Sequence, residues 1–120
     1  MATRPCFLVI EREYPGNISA RKLVIETAKM NVITAYSSAE GVATLRRFPG
    51  VDGVVLSAEV NDMPCATAAQ ELKRVRPSVP LIVISPNAHE SCDHADHRLS
   101  SHDPQRLLEV LRGVVETQAA

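Results

Sequence analysis

Short apolar runs alternate along this chain with longer stretches in which apolar residues recur at helical spacing. Four of the runs are bounded by turn residues and are predicted to be buried strands, namely Phe7–Ile10, Asn31–Tyr36, Val51–Ser57 and Val79–Ile84. A short fifth strand is predicted around Arg98–Ser100. The runs are too short to be helices, so the pattern indicates a sheet whose strands are linked by helices.

The longer stretches are predicted to be amphipathic helices, because their apolar residues fall on one side at a period of 3.6 residues. The first is expected to follow a cap at Ser19 and to end near Met30. Ser37 or Ser38 can cap the second, which Pro49 and Gly50 end. The third is expected over about Ala66–Arg76, and the last over about Pro104–Glu116 with Asp103 as its cap.

Strands and helices alternate regularly until an irregular stretch that precedes the last helix. Continuous apolar strands separated by helices favour a parallel sheet covered on both faces, which is an α/β fold. Neither a linker nor a repeat divides residues 1–120, so one domain is predicted. Ser57 ends the third strand, at the edge of the sheet where ligands bind in such folds.

Composition restricts the classes of partner. The chain has 13 Lys and Arg against 14 Asp and Glu, so no basic excess points to nucleic acid or to an anionic membrane. Its three cysteines form neither a CxxC motif nor a disulfide-dense pattern, which favours a reducing compartment. No apolar run approaches the length of a membrane span, and no signal peptide is recognisable, so a cytoplasmic location is expected.

Five segments together resemble the receiver domain of bacterial two-component response regulators: Phe7–Glu11, Ala35–Ala43, Asp52–Ser57, Val79–Ser85 and Asp103–Leu108. Their order and spacing, more than any one of them, carry the resemblance, which covers nearly the whole chain. It implies a flavodoxin-like, doubly wound sheet of five parallel strands in the order 2-1-3-4-5.

The resemblance also implies where the parts of a phosphorylation site fall. The family's pair of magnesium-binding acids falls on Glu11 and Arg12, so one acid is kept and the other is replaced by a cation. The phosphate-accepting aspartate falls on Ser57, and the family's Ser/Thr falls on Ser85. The family's lysine falls near Ser100, and no lysine occurs after residue 73.

Phosphoryl transfer to a carboxylate needs an acceptor oxygen, a hard cation and positive charge on the leaving oxygens, and all three are compromised here. We therefore expect a pseudo-receiver that is not an enzyme, uses no cofactor and acts by contact with a protein partner. Two alternatives remain open. One is a ligand- or metal-sensing module that uses either the emptied pocket or the histidine- and cysteine-containing loop before the fifth strand. The other is an atypical receiver in which Glu59 or Glu11 replaces the lost acid.

The interval between Ser85 and Ser100 holds 14 residues, which is short for the loop, helix and strand that the family places there. The fourth helix is therefore predicted to be missing or reduced to a turn. Four residues of this interval are candidate metal ligands without a recognised zinc spacing, namely His89, Cys92, His94 and His97. A polar surface loop is the favoured interpretation, with no metal. Cys65 and Cys92 are interpreted as structural or incidental thiols, with redox sensitivity as the alternative.

The last helix has more apolar residues than a single stripe requires. Leu107, Leu111 and Val114 lie along one line, and Leu108 and Val115 lie along a neighbouring line. This excess belongs either to an ordinary core or to a pairing surface beside the lost fourth helix. We expect Leu107, Leu111 and Val114 to form an interaction surface for a homodimer.

Overall fold

A computed structural model of the chain describes residues 4–13, 20–85, 92, 94–100 and 103–119. The strands are β1 (Cys6–Ile10), β2 (Asn31–Ala35), β3 (Gly53–Ser57), β4 (Leu81–Ser85) and β5 (His97–Ser100). The helices are α1 (Ala20–Thr27), α2 (Ser38–Arg47), α3 (Cys65–Val75) and α4 (Pro104–Ala119). Each strand and helix corresponds to one that the sequence predicts, with ends that differ by a few residues.

The five strands form one parallel sheet in the order β2-β1-β3-β4-β5. One register line crosses the whole sheet through Thr34, Val9, Val55, Ile82 and His97. The sheet order reverses between β1 and β3, which is the switch point of a doubly wound fold. The predicted fold class is confirmed.

Alternation along the strands divides the core into two layers. On β1, Leu8 and Ile10 pack in a cluster with residues of α2 and α3, whereas Phe7 and Val9 pack in a cluster with residues of α1 and α4. Side chains of successive strand residues point to opposite faces, so one apolar run supplies both layers. This explains why the strands are apolar throughout and why both faces carry helices.

Local signals set several helix ends. Ser37 is the N-cap of α2, and its Oγ accepts a hydrogen bond from the backbone N–H of Glu40 at 3.0 Å. Asp103 Oδ1 accepts in the same way from the N–H of Arg106 at 3.0 Å, as predicted. Helix α1 ends earlier than expected, because Lys29 has a left-handed φ of 65°. Within the described ranges, no helix has the length and apolar content that a membrane span requires.

Much of the β4–β5 connection, where the sequence predicts a missing or shortened fourth helix, lies outside the described residues. Its described residues are Cys92 and 94–96, which form a turn, and no helix lies among them. Cys92 and Ala95 nevertheless pack on the α3 side of the sheet, against the core cluster that contains Leu81 and Val83. These two residues thus cover sheet surface beside α3.

Candidate functional site

Four of the predicted site residues lie along one edge of the sheet, at the carboxyl ends of neighbouring strands. Glu11 follows β1, whereas Ser57, Ser85 and Ser100 end β3, β4 and β5. Ser85 and Ser100 are direct register partners. Glu11 and Ser57 each follow the register pair of Ile10 and Leu56, so they are neighbours at about the 4.8 Å spacing of adjacent strands.

Ser57 is enclosed by the chain that follows it. Its side chain is only 1% exposed, and its Oγ accepts a hydrogen bond from the backbone N–H of Glu59 at 3.4 Å. Its carbonyl accepts from the N–H of Val60 at 3.2 Å, and Ala58 N–H donates to Ile84 O at 2.8 Å. The β3–α3 loop therefore folds back over the strand end, and the residue beneath it carries a neutral hydroxyl.

Glu11 supplies the carboxylate at the site. Its side chain is 6% exposed, and its backbone N–H donates to Ala35 O at 3.0 Å, which continues the β1–β2 pairing past the end of the strand. The next residue, Arg12, is exposed. The position at which the family has its second acid therefore carries a cation in this chain.

The residues at this edge do not fit a divalent cation of the kind that receivers bind. Magnesium prefers carboxylate oxygens in octahedral geometry and gives up its water reluctantly. Here Glu11 is the one carboxylate at the positions that the family uses, Ser57 offers a neutral hydroxyl, and Arg12 adds positive charge. In the part of the chain that the structure describes, no group of three or more His, Cys, Asp or Glu side chains is arranged to hold a metal ion.

Asp62 is a structural residue of this edge that the sequence interpretation did not identify. Its carboxylate accepts hydrogen bonds from the N–H groups of Ser38 and Ala39, at 2.9 and 3.0 Å, at the start of α2. Desolvation alone would raise the pKa of Asp62, but these hydrogen bonds lower it below its usual value. The contact ties the β3–α3 loop to α2 across 23 to 24 positions of sequence, and local patterns carry no signal for it.

Among the residues near β5 that the structure describes, the cysteine and histidine side chains form no metal-binding group. Cys92 is bonded to Cys65 in a disulfide, so its sulfur is not available as a ligand in this state. His94 and His97 are exposed, and His89 lies outside the described residues. The pairing of Cys65 with Cys92 was not predicted, because 27 positions separate them and no motif links them. Metal binding by this loop stays an untested alternative.

The three residues of the last helix that were expected to form an interaction surface are buried in this chain. Leu107, Leu111 and Val114 are 3%, 0% and 7% exposed, and they pack in the core layer that includes Phe7 and Val9. These apolar residues of α4 thus belong to the core of this chain. Pairing of two chains through α4 stays a prediction, and it would have to use other side chains of the helix.

Comparisons with known proteins agree with this fold. No family model matches the chain. Over 95 residues, which are 79% of this chain, the sequence is 30% identical to the transcriptional regulatory protein GlrR of Escherichia coli K12 and to QseF of Escherichia coli O157:H7. The match spans only 21% of the length of each of these regulators.

Solved receiver domains match the fold of this chain over most of its length. A response regulator receiver domain from Clostridium thermocellum gives a TM-score of 0.82 at 20% identity, covering 96% of this chain and 97% of that chain. The receiver domain of a sensor histidine kinase from Pseudomonas aeruginosa PAO1, solved with a magnesium ion in its active-site cleft, gives 0.83 at 16% identity over 95% and 99%. TrrA from Thermotoga maritima, solved with Mg²⁺ and BeF, gives 0.71 at 23% identity over 92% and 98%. This chain has the fold of a response regulator receiver domain.

Proposed function

We propose that this domain is a pseudo-receiver, a signalling module of the two-component type that does not use an aspartyl phosphate and acts by contact with another protein. The observation that carries the proposal is the residue at the carboxyl end of β3. Ser57 is 1% exposed beneath the β3–α3 loop, at the position of the family's acceptor aspartate. A serine hydroxyl is a weak nucleophile unless a base activates it, so this position is unsuited to take a phosphoryl group.

The surroundings of Ser57 support the same proposal. An acyl phosphate requires a cation to neutralise the transferred group, and the Glu11 and Arg12 pair is a poor site for one. Ser100 is exposed at the end of β5, where the family has a lysine. The family's second acid, acceptor aspartate and lysine are thus replaced by Arg12, Ser57 and Ser100. None of these residues carries the charge of the group that it replaces.

The proposed output is recognition of a protein partner rather than catalysis. The receiver fold, and the similarity to part of two transcriptional regulators, favour a role in bacterial signal transduction or transcription control. We propose no cofactor and no nucleic-acid contact for this domain, since its charge is balanced. Homodimerisation and a cytoplasmic location belong to the same proposal.

Phosphorylation is tested by incubation with acetyl phosphate or carbamoyl phosphate and Mg²⁺, followed by intact mass spectrometry. We expect no adduct, because the acceptor and the cation site are both missing. A receiver domain that retains the aspartate and the lysine serves as the positive control under identical conditions. A stoichiometric gain of one phosphoryl group would support the atypical receiver instead, and peptide mapping would show whether Glu11 or Glu59 carries it.

Protein contact is tested separately. Size-exclusion chromatography with light scattering measures self-association, and affinity capture measures the amount of partner bound with and without a phosphodonor. We expect the same captured partner with and without phosphodonor. The matched variant is Ser57→Ala, which removes the hydroxyl without adding charge and should leave capture unchanged. Capture that depends on the phosphodonor would contradict phosphorylation independence.

A further inference from the structure

The cysteine pair Cys65 and Cys92 lies outside the site described above and joins two elements that are distant in sequence. Cys65 is the first residue of α3, and Cys92 lies in the β4–β5 connection. Their Cα atoms are 5.6 Å apart, which is within the range that a disulfide spans without moving the backbone. We propose that this pair is a reversible redox site that fastens and releases the turn between Cys92 and Ala95, shortly before β5.

The disulfide holds a residue that covers part of the sheet beside α3. Cys92 is 1% exposed and packs in the layer that contains Leu81 and Val83 of β4. Its carbonyl accepts hydrogen bonds from the N–H of Ala95 at 3.1 Å and from the guanidinium of Arg98 at 3.0 Å. The disulfide therefore fixes the buried Cys92, and the turn that follows it, against α3.

A second, non-covalent contact holds the other end of this segment. The carboxylate of Asp96 accepts from Lys73 Nζ at 2.6 Å and from the N–H of Leu81 at 2.8 Å, and Asp96 N–H donates to Leu81 O at 2.9 Å. Lys73 Nζ also donates to Val79 O at 2.6 Å. The connection is thus attached near both ends of α3, through Cys65 and through Lys73. Reduction removes only the first attachment, so the change it causes is local and the domain stays folded.

The two sulfurs differ in access, which suits exchange with a small thiol. Cys65 is half-buried at the start of a helix, where the backbone N–H groups favour a thiolate, whereas Cys92 is in the core. In oxidation, the thiolate of Cys65 attacks glutathione disulfide and releases one glutathione. The thiol of Cys92 then loses its proton, displaces the second glutathione and forms the Cys65–Cys92 bond. Two thiols are oxidised, and one low-molecular-weight disulfide is reduced to two thiols.

The remaining cysteine provides an internal control. Cys6 is the first residue of β1, so it lies at the amino ends of the strands, and it is a free thiol. Burial, together with the nearby charge of Asp52, raises the pKa of Cys6, which keeps its thiol protonated and slow to exchange. The proposal does not depend on the absence of phosphorylation, because neither cysteine belongs to the Ser57 site.

The test equilibrates the 120-residue chain in glutathione buffers of increasing oxidised fraction, blocks free thiols with an alkylating reagent and weighs the intact protein. We expect one alkylated cysteine in oxidising buffer and three in reducing buffer, reversibly. Cys6→Ser should lower both numbers by one. Three free thiols in every buffer, or a pair that includes Cys6, would overturn the proposal.

Residue-resolved hydrogen exchange shows whether the bond controls the connection. On reduction, the amide of Ala95, which is bonded to Cys92 O, should lose protection by about tenfold or more, whereas that of Asp96, which is bonded to Leu81 O, should keep most of it. Cys65→Ser should reproduce the reduced pattern, because it removes the same bond and leaves the Cys92 side chain itself unaltered. Equal protection of Ala95 in oxidised, reduced and Cys65→Ser protein would contradict a redox-controlled segment.

Discussion

A carboxylate restored at the end of β3 would enter a buried position beside Glu11. In Ser57→Asp the new carboxyl group replaces a side chain that is 1% exposed, and Glu11 is itself 6% exposed. The β1–β3 register sets the two positions side by side at about 5 Å. With an effective dielectric constant of ~20, two unit charges at that distance repel by ~3 kcal/mol. Because both groups are buried, little of this repulsion is screened by solvent.

We therefore expect Ser57→Asp to be about 2–4 kcal/mol less stable at neutral pH than Ser57→Asn, which has the same shape without the charge. The free energy of unfolding is measured by urea denaturation at several pH values. Repulsion raises the pKa of the new carboxyl group in the folded state, so the folded state binds more protons than the unfolded one. The deficit should consequently shrink as the pH falls, and Glu11→Gln should remove most of it at neutral pH.

Equal stability of Ser57→Asp and Ser57→Asn at neutral pH would refute this reasoning, because it would mean that Glu11 and position 57 are not close neighbours in a dry site. The same variant has a functional expectation. Ser57→Asp should take up no phosphoryl group from acetyl phosphate with Mg²⁺, because the second acid and the lysine are also absent. Efficient labelling would show that the acceptor was the only missing part.

Three further predictions concern the framework around the site. Gly41→Ala should cost about 1–2 kcal/mol in the free energy of unfolding by urea, because a methyl group there would lie 2.7 Å from Cγ1 of the buried Ile10 and outweigh the better helix propensity of alanine. Asp62→Ala should cost ~1 kcal/mol at neutral pH, since it uncaps the N–H of Ser38. Folding lowers the pKa of Asp62. The difference in free energy of unfolding between wild type and Asp62→Ala should therefore keep its full size above pH 3.8, the ordinary pKa of the group, and vanish as the pH falls further. Lys29→Gly should stabilise the domain by up to ~1 kcal/mol in thermal unfolding, because its φ of 65° suits glycine.

The sequence predicted the fold because its main signals are local. Each apolar run is short and bounded by turn residues, and the helices begin at side chains such as Ser37 and Asp103 that accept hydrogen bonds from the first turn. The convergence of Glu11, Ser57 and Ser85 at one edge follows from parallel strands alone. These parts of the site needed no knowledge of tertiary contacts.

Other features depend on contacts between distant residues and were missed. Asp62 caps α2 from another loop, and Cys65 meets Cys92 only because the β4–β5 connection turns along α3. Leu107, Leu111 and Val114 were expected to form an interaction surface, yet they are buried, because the pattern of a helix shows how wide its apolar face is and not what covers that face. Predicting such contacts requires knowing how the helices pack on the sheet, and the periodicity of the sequence does not contain that information.

We propose that the carboxyl edge of the sheet does not bind the cation and phosphoryl group of a receiver. The most direct test is an amide NMR titration of the wild-type chain with Mg²⁺ and beryllofluoride, a mimic of the aspartyl phosphate. We predict that the amide signals of Ser57, Ala58 and Ser85 do not shift in a saturable way. Saturable shifts at these three residues, with one equivalent bound, would contradict the claim.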